Sequence, residues 1–280
     1  YITTDSKGFL WVCTRDGLSR FDGSRFINYQ LDAPDAAPGI ENLFELKNGK
    51  YIIGSTGGMF VYDPAIPSTG NPDRPTLKAE LLSKSRGHII EDRNGIIWFS
   101  STGLYNVIFT DGKATLVQVK LDLPRNATRG FAIVAAAEGA DGSLWLNTTW
   151  GLVRRLPDAR IVFYEHPDES PAALGSMVID EKGKIWLTVG TKLLILNPSP
   201  IESIPSDRQV VERSLKPASV FPVTQASAVE LPFGNEQVFE YTNPELIDKW
   251  KPKYLHASKD GSVWVSEENT LLRFSDGKLD

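Results

Sequence analysis

The sequence predicts an all-β fold, a propeller of four-stranded antiparallel blades, and three observations predict it. One phrase recurs along the chain, its copies stand at a blade-like spacing, and each copy reads as turn, strand, turn, strand. The phrase is clearest in residues 5–23, where Asp5-Ser6-Lys7-Gly8 leads into Phe9-Leu10-Trp11-Val12-Cys13. It returns at Asp92–Trp98, Asp141–Trp145, Asp180–Trp186 and Asp260–Trp264, with a weaker copy at Asn48–Ile52 that has Ile in the Trp position. From one Trp position to the next the steps are 41, 46, 47, 41 and 78 residues. The first four match the roughly 40–50 residues of a propeller blade, and the last is nearly two blades long.

Each part of the phrase has a local reason. Asp can bond the turn backbone and Gly accepts positive φ, so Asp-x-x-Gly closes a hairpin. The residues after it alternate and are rich in aromatic and β-branched types, as a strand requires. Thr14-Arg15-Asp16-Gly17 makes a second turn, Leu18–Phe21 a third strand, and Arg25–Tyr29 a fourth. The repeated Trp falls mid-strand, where its face can pack between neighbouring sheets.

The first blade therefore runs from Tyr1 to about Tyr29, and residues 33–39, with two prolines, link it onward. The second holds Ile40–Leu46, Tyr51–Gly54 and Gly58–Tyr62. Residues 64–80, rich in Pro, Ser, Gly and Asn, read as an exposed loop. The third holds His88–Glu91, Ile96–Ser100, Gly103–Phe109 and Ala114–Leu121. Phe131–Ala137, Leu144–Asn147, Gly151–Leu156 and Ile161–Tyr164 make the fourth. Met177–Asp180, Ile185–Val189 and Leu193–Leu196 belong to the fifth. Residues 199–253 break the rhythm, with a strand-like Gln237–Tyr241 that fits as a fourth strand and a short helix at Pro244–Trp250 capped by Asn243. They are either a degenerate seventh blade or one long insertion, and the rarity of structureless loops of that length favours the blade. The sixth clear blade is Tyr254–His256, Val263–Ser266 and Leu271–Phe274, with the chain stopping before a fourth strand. The reading is one propeller domain over residues 1–280, six blades recognisable and seven in all, cut from a longer chain because it opens mid-strand without an initiator Met.

Composition bounds the function. A formal charge of −5 gives no support for binding nucleic acid or an anionic membrane. No stretch is apolar and long enough to insert in a bilayer. The single cysteine, Cys13, rules out an internal disulfide framework and reads as a packed thiol.

The string over residues 5–21, Asp-x-x-Gly-x-Leu-Trp-Val-x-Thr-x-x-Gly-Leu-x-Arg-Phe, resembles the two-component regulator propeller repeat. Gly103-Leu104, Gly151-Leu152-Val153-Arg154 and Leu271-Leu272-Arg273-Phe274 carry parts of the same pattern. The resemblance implies a propeller outside the cytoplasmic membrane of a bacterial sensor, followed in the parent by a connecting sandwich, a membrane helix and a histidine kinase or other output domain. It implies a periplasmic, non-catalytic sensor module that meets a small polar ligand and, through the parent, a second copy. Carbohydrate-using bacteria carry sensors of this kind, which makes an oligosaccharide the expected ligand, with a protein–protein interaction platform as the alternative use of the fold. The Asp-Gly-x-hydrophobic-Trp phrase is also similar to that of streptogramin-lyase-like propellers, which use a His, a Glu and a metal. The three histidines here, His88, His166 and His256, fall in no such arrangement, so no catalytic residue, metal site or cofactor is expected.

Consecutive turns of a meander lie at opposite ends of the sheet. The Asp-x-x-Gly turns, nearly uniform, mark one end, the bottom. The second turns and the long links share the other end, the top, and they differ from blade to blade, as functional loops on a rigid scaffold do. Trp150 stands where the first blade has Asp16, and a Trp on an exposed turn either stacks on a ring of the ligand or is covered by a neighbouring loop. Arg15 and Arg129 can offer bidentate donors. Asp16 and Glu267 complete the polar groups expected around the opening. His88 and Asn42 fall at the top of first strands, where they face the channel or satisfy backbone groups.

Overall fold

Each recurring phrase folds as an antiparallel meander, and its Asp-turn is the reason. In the first, β1 (Ile2–Thr4), β2 (Leu10–Thr14), β3 (Gly17–Phe21) and β4 (Phe26–Asp32) pair in chain order. Gly8 closes the first turn at a φ of +84°, and Gly95 and Gly183 do so at +79° and +78° in their own blades, a conformation that only Gly adopts without strain. The computed structural model describes residues 1–33, 36–72, 74–124, 130–165, 175–190, 192–222, 236–242, 252–267, 270–275 and 278–279. They fall in two compact units, Tyr1–Val119 and Lys120–Asp280.

The first unit holds three blades. The second blade is β5 (Ile40–Glu45), β6 (Tyr51–Ser55) and β7 (Gly58–Tyr62), completed by β9 (Arg74–Ser83), with β8 (Thr69–Asn71) paired to β9. Residues 74–80 are thus strand, not the exposed loop the sequence suggested. The prolines at 64, 67, 72 and 75 mask an alternation in which Leu77 and Ala79 are buried while Lys78 and Glu80 are exposed. Strand β9 also runs parallel to β4, with Gln30 beside Thr76 and Asp32 beside Lys78, so the two blades share a nine-stranded sheet. The third blade is β10 (His88–Glu91), β11 (Ile97–Ser100), β12 (Leu104–Thr110) and β13 (Lys113–Val119).

In the second unit the fourth blade is β14 (Ile133–Glu138), β15 (Leu144–Thr148), β16 (Gly151–Arg155) and β17 (Ile161–Glu165). The fifth begins with β18 (Met177–Ile179), β19 (Ile185–Val189) and β20 (Lys192–Asn197). Among the described residues, 199–253 do not form a seventh blade. A single 3-10 turn at Ile201–Ser203 leads to β21 (Val210–Ser214), which runs parallel to β17 as a fifth strand of the fourth blade. Strand β22 (Ser219–Pro222) runs parallel to β23 (Gln237–Thr242), and β23 is the fourth strand of the fifth blade, the role expected of Gln237–Tyr241. The physical reason is burial. The carboxylate of Glu236 accepts hydrogen bonds from Tyr164 Oη (2.9 Å) and Ser199 Oγ (2.8 Å) and pairs with Arg213 at 3.0 Å, fastening the segment to the fourth blade. Leu215 and Ile204 enter the core there. The helix expected at 244–250 lies outside the described residues. The sixth blade is β24 (Tyr254–Ala257), β25 (Val263–Ser266), β26 (Leu271–Ser275) and β27 (Lys278–Leu279); the last supplies the fourth strand that the sequence reading placed beyond the chain. The described residues thus make six four-stranded meanders.

The apolar residues pack between successive blades: the first on the second, the second on the third, the fourth on the fifth and the fifth on the sixth. Trp11, Trp145 and Trp186 are buried in these layers, as their strand position predicts; Trp98 is buried too, while Trp264 is half-buried. Cys13 is a buried thiol whose pKa burial pushes up to about 11, which makes it a packing group rather than a nucleophile. No helix of the described residues is long and apolar enough to cross a membrane.

Candidate functional site

The two ends of the sheets spend their polar groups differently. At the bottom, the Asp of the turn serves backbone and Trp together. One oxygen of Asp5 accepts the amides of Lys7 and Phe9 (3.0 and 2.9 Å), and the other accepts Trp11 Nε1 at 2.8 Å and Tyr51 Oη at 3.1 Å. Asp92 and Asp180 repeat the bracket, holding Trp98 at 2.9 Å and Trp186 at 2.8 Å. In the fourth and sixth blades Gly139 and Ser258 take the place of that Asp, and the carboxylate comes two residues later. Asp141 accepts the Ser143 amide (2.9 Å) and pairs with Arg154. Asp260 accepts the Ser262 amide and hydroxyl and pairs with Arg273 at 2.9 Å. The strand register sets Arg154 opposite Trp145 and Arg273 opposite Trp264, with guanidinium carbons 5.0 and 5.6 Å from the indole centroids. Arg20, opposite Trp11, lies 4.4 Å from the Phe9 ring centroid. The sequence carries this device as Gly-Leu-x-Arg in two of the blades.

Asp5 gives the bottom end a pH dependence. Burial raises the carboxyl pKa, but the donors from Trp11, Phe9, Tyr51 and Lys7 outweigh it and hold the group below its ordinary 3.8. A lowered folded-state value contributes stability above the unfolded pKa and loses it as pH falls through the folded one. Acid titration followed by tryptophan fluorescence should therefore show stability falling below about pH 4, with a shallower fall in Asp5→Asn. An equally steep acid limb in the variant would show that Asp5 is not one of the groups responsible.

At the top, a hydroxyl rather than a carboxylate closes the second turn. Thr14 Oγ1 donates to Gly17 O (3.0 Å) and accepts the Asp16 amide (3.2 Å). Thr148 Oγ1 donates to Gly151 O (2.7 Å) and accepts the Trp150 amide (3.3 Å), so Asp16 and Trp150 occupy equivalent positions, as the sequence suggested. Gly151 is required there, because a Cβ would come within 2.2 Å of Tyr164 O. The turn is also tied sideways: Thr149 Oγ1 donates to Gly130 O and accepts the Ala132 amide. Trp150 is half-buried, not on an exposed turn, because this turn is stitched to the link before β14.

Arg15, Asp16, Asn42 and His88 belong to the first unit, Trp150 and Glu267 to the second, and Arg129 lies outside the described residues. Arg15 and Asp16 are exposed side by side on their turn. Asn42 sits at a bulge in β5 with Oδ1 so close over Gly54 that a Cβ there would be 2.3 Å away, so its side chain packs on the next strand. His88 is exposed opposite Ser100. Glu267 is half-buried just past β25, its amide bonded to Thr270 O at 2.8 Å. Among the described residues no group of three or more His, Cys, Asp and Glu side chains is placed to hold a metal ion.

Of these residues the structure brings Asp16 to a cavity of about 400 Å³, between the first and second blades at the top. Leu18, Ile40, Ile53 and Leu77 give it an apolar floor, and Asp16, Asp32 and Arg74 line it with charge. Arg74 and Leu77 come from β9, the strand the sequence reading took for loop, so nothing local in the sequence marked this hollow.

No family model matches the sequence, and no curated protein does either. Solved structures match over the whole chain. A catalytically inactive virginiamycin B lyase from Staphylococcus aureus, solved with quinupristin, is 16% identical with a TM-score of 0.63, and the match covers 100% of this chain and 82% of that one. The extracellular domain of a protein designated a hybrid two-component system of B. thetaiotaomicron is 18% identical with a TM-score of 0.65, over 100% of this chain and 35% of that one. PorZ, a surface component of the type-IX secretion system of Porphyromonas gingivalis, is 17% identical with a TM-score of 0.61, over 98% of this chain and 38% of that one. The chain thus spans about a third of the length of the last two. At these identities the likeness is one of fold, and the chain is a β-propeller of four-stranded antiparallel blades.

Proposed function

We propose that this propeller is the extracytoplasmic sensing module of a bacterial membrane signalling protein, of the two-component regulator propeller kind, and that it binds a small polar ligand, an oligosaccharide, at its top. The observation that carries the reading is Trp150, a half-buried aromatic whose backbone amide is held by Thr148 on the turn that elsewhere holds Asp16. Sugars present apolar faces edged by hydroxyls, so an anchored aromatic with polar groups nearby is the kind of site they take. Glu267 and Arg129 are the polar groups proposed for the same unit. Likeness in fold to an extracellular domain of a hybrid two-component system supports a periplasmic location and a non-catalytic role. Neither nucleic acid nor direct membrane insertion belongs to this reading.

Isothermal titration against a panel of oligosaccharides tests it. One member should bind wild type and fail to bind Trp150→Ala, whose stability falls by only about 1 kcal/mol because the indole is outside the inter-blade core. Silence across the panel, with a protein recovered by pull-down that Trp150→Ala no longer captures, would make the top an interaction platform instead. The fold is shared with virginiamycin B lyase as well, and quinupristin belongs in the same panel: a new chromatographic peak after incubation would overturn the non-catalytic reading.

A further inference from the structure

The cavity of the first compact unit is, we propose, a second binding site, for a small zwitterion with an apolar body, of the size of a dipeptide of aliphatic amino acids. Its volume of about 400 Å³ is in the range of small-molecule sites, roughly 300–1,000 Å³, and its apolar floor with a few charged groups has their usual make-up. The charges are what select the ligand. Asp16, Asp32 and Arg74 are exposed, and none of their side chains has a hydrogen bond or ion pair among the described residues. Elsewhere in the same unit the charged groups with a neighbour in reach are paired: Lys50 with Asp63, Arg86 with Glu41, Arg25 with Asp22. Asp16 and Arg74 also line an adjoining hollow of about 360 Å³, so acid and base stand together where the two hollows meet.

The chemistry follows from the groups. A guanidinium binds a carboxylate through two parallel hydrogen bonds, and a carboxylate binds an ammonium. Two carboxylates and one guanidinium make a mouth with an excess negative charge, which disfavours a simple anion. A neutral sugar can hydrogen-bond to these groups, but it brings no opposite charge to any of them and no aliphatic side chain to the floor. A molecule with an ammonium at one end, a carboxylate at the other and aliphatic side chains between them satisfies the acids, Arg74 and the floor at once.

Titration calorimetry of the intact protein with the dipeptide Leu-Leu, its N-acetyl derivative and its C-terminal amide tests the assignment. Leu-Leu should bind saturably, and capping either end should weaken it by about tenfold or more, the weight of one charge-assisted contact. Arg74→Gln should weaken free Leu-Leu by a similar factor with an unchanged melting temperature, since Arg74 is exposed, and Asp32→Asn should act likewise. Trp150→Ala should bind Leu-Leu as wild type does, which separates this site from the one proposed above. The assignment is overturned if Leu-Leu gives no saturable heat, if capped dipeptides bind as tightly, if Arg74→Gln is indistinguishable from wild type, or if Trp150→Ala abolishes binding.

Discussion

Replacing Trp145 with alanine is expected to lower the unfolding free energy by about 3–5 kcal/mol, the usual loss for truncating a large buried aromatic. Trp145 is 1% exposed and lies in the layer between the fourth and fifth blades with Leu152, Leu187 and Leu196. Its ring stacks on Tyr164 at 5.9 Å between centroids and carries the Arg154 guanidinium on its surface. Alanine would leave a hollow in a layer closed by two sheets, neither of which can collapse without breaking its own ladder. The cation would also lose its aromatic partner. Trp264, the matching residue of the sixth blade, is half-buried, so Trp264→Ala should cost markedly less. Urea titration followed by circular dichroism gives both values, and equal losses at the two sites would show that burial between blades is not what sets the cost.

The comparison of Trp145 with Trp150 shows what could be read from the residues alone. Trp145 recurs at a blade period behind an Asp- or Gly-turn, so its place in a core strand follows from local pattern. Trp150 breaks the pattern on a turn, and its position was readable, but its half-burial depends on Thr149 binding the link at Gly130 and Ala132, which no local rule supplies. The same division explains the strands. Antiparallel neighbours joined by tight turns announce themselves by Gly, Asp and alternation. Strands β21 and β22 add themselves in parallel to an existing strand, a pairing that leaves no turn behind it, and β9 adds a parallel contact with β4 to its antiparallel place beside β7. Covering sheet edges in this way protects them from unwanted pairing, which gives the long connections a structural use beyond the top face. The hollow at Asp16, Asp32 and Arg74 was invisible for that reason: one wall is β9. Arg20, Arg154 and Arg273 were visible as a repeated residue, but their role emerges only when the register sets each opposite a Trp.

Arg154→Ala should cost about 3 kcal/mol, and the loss should come from hydrogen bonding more than from volume. The side chain is 1% exposed, and its three nitrogens are all used: Nε donates to Ser143 Oγ at 3.1 Å, Nη1 to Ser199 O at 2.7 Å, and Nη2 to the Asp141 carboxylate. Alanine strands the buried Ser199 carbonyl and takes a donor from the Ser143 hydroxyl, which keeps its bond to Asp141, and a buried group left unmade costs about 1–3 kcal/mol. Asp141 suffers less, because more than a third of its side chain reaches solvent and water can replace the guanidinium. Arg154→Met separates the two contributions: it keeps most of the volume against Trp145 yet removes every hydrogen bond, so it should recover less than half of the loss. Acid tests the Asp141 contact separately. Burial raises that carboxyl, but the Ser143 and Arg154 donors hold it below its ordinary 3.8, so its contribution is complete above about pH 4 and is lost as pH falls through the lowered value. Arg154→Met should therefore show a flatter stability profile than wild type between about pH 4 and pH 2. If Arg154→Met proves as stable as wild type, the guanidinium serves as filler beside the indole, and the link from Ser143 through Arg154 to Ser199 does not hold the 199–214 segment on the fourth blade.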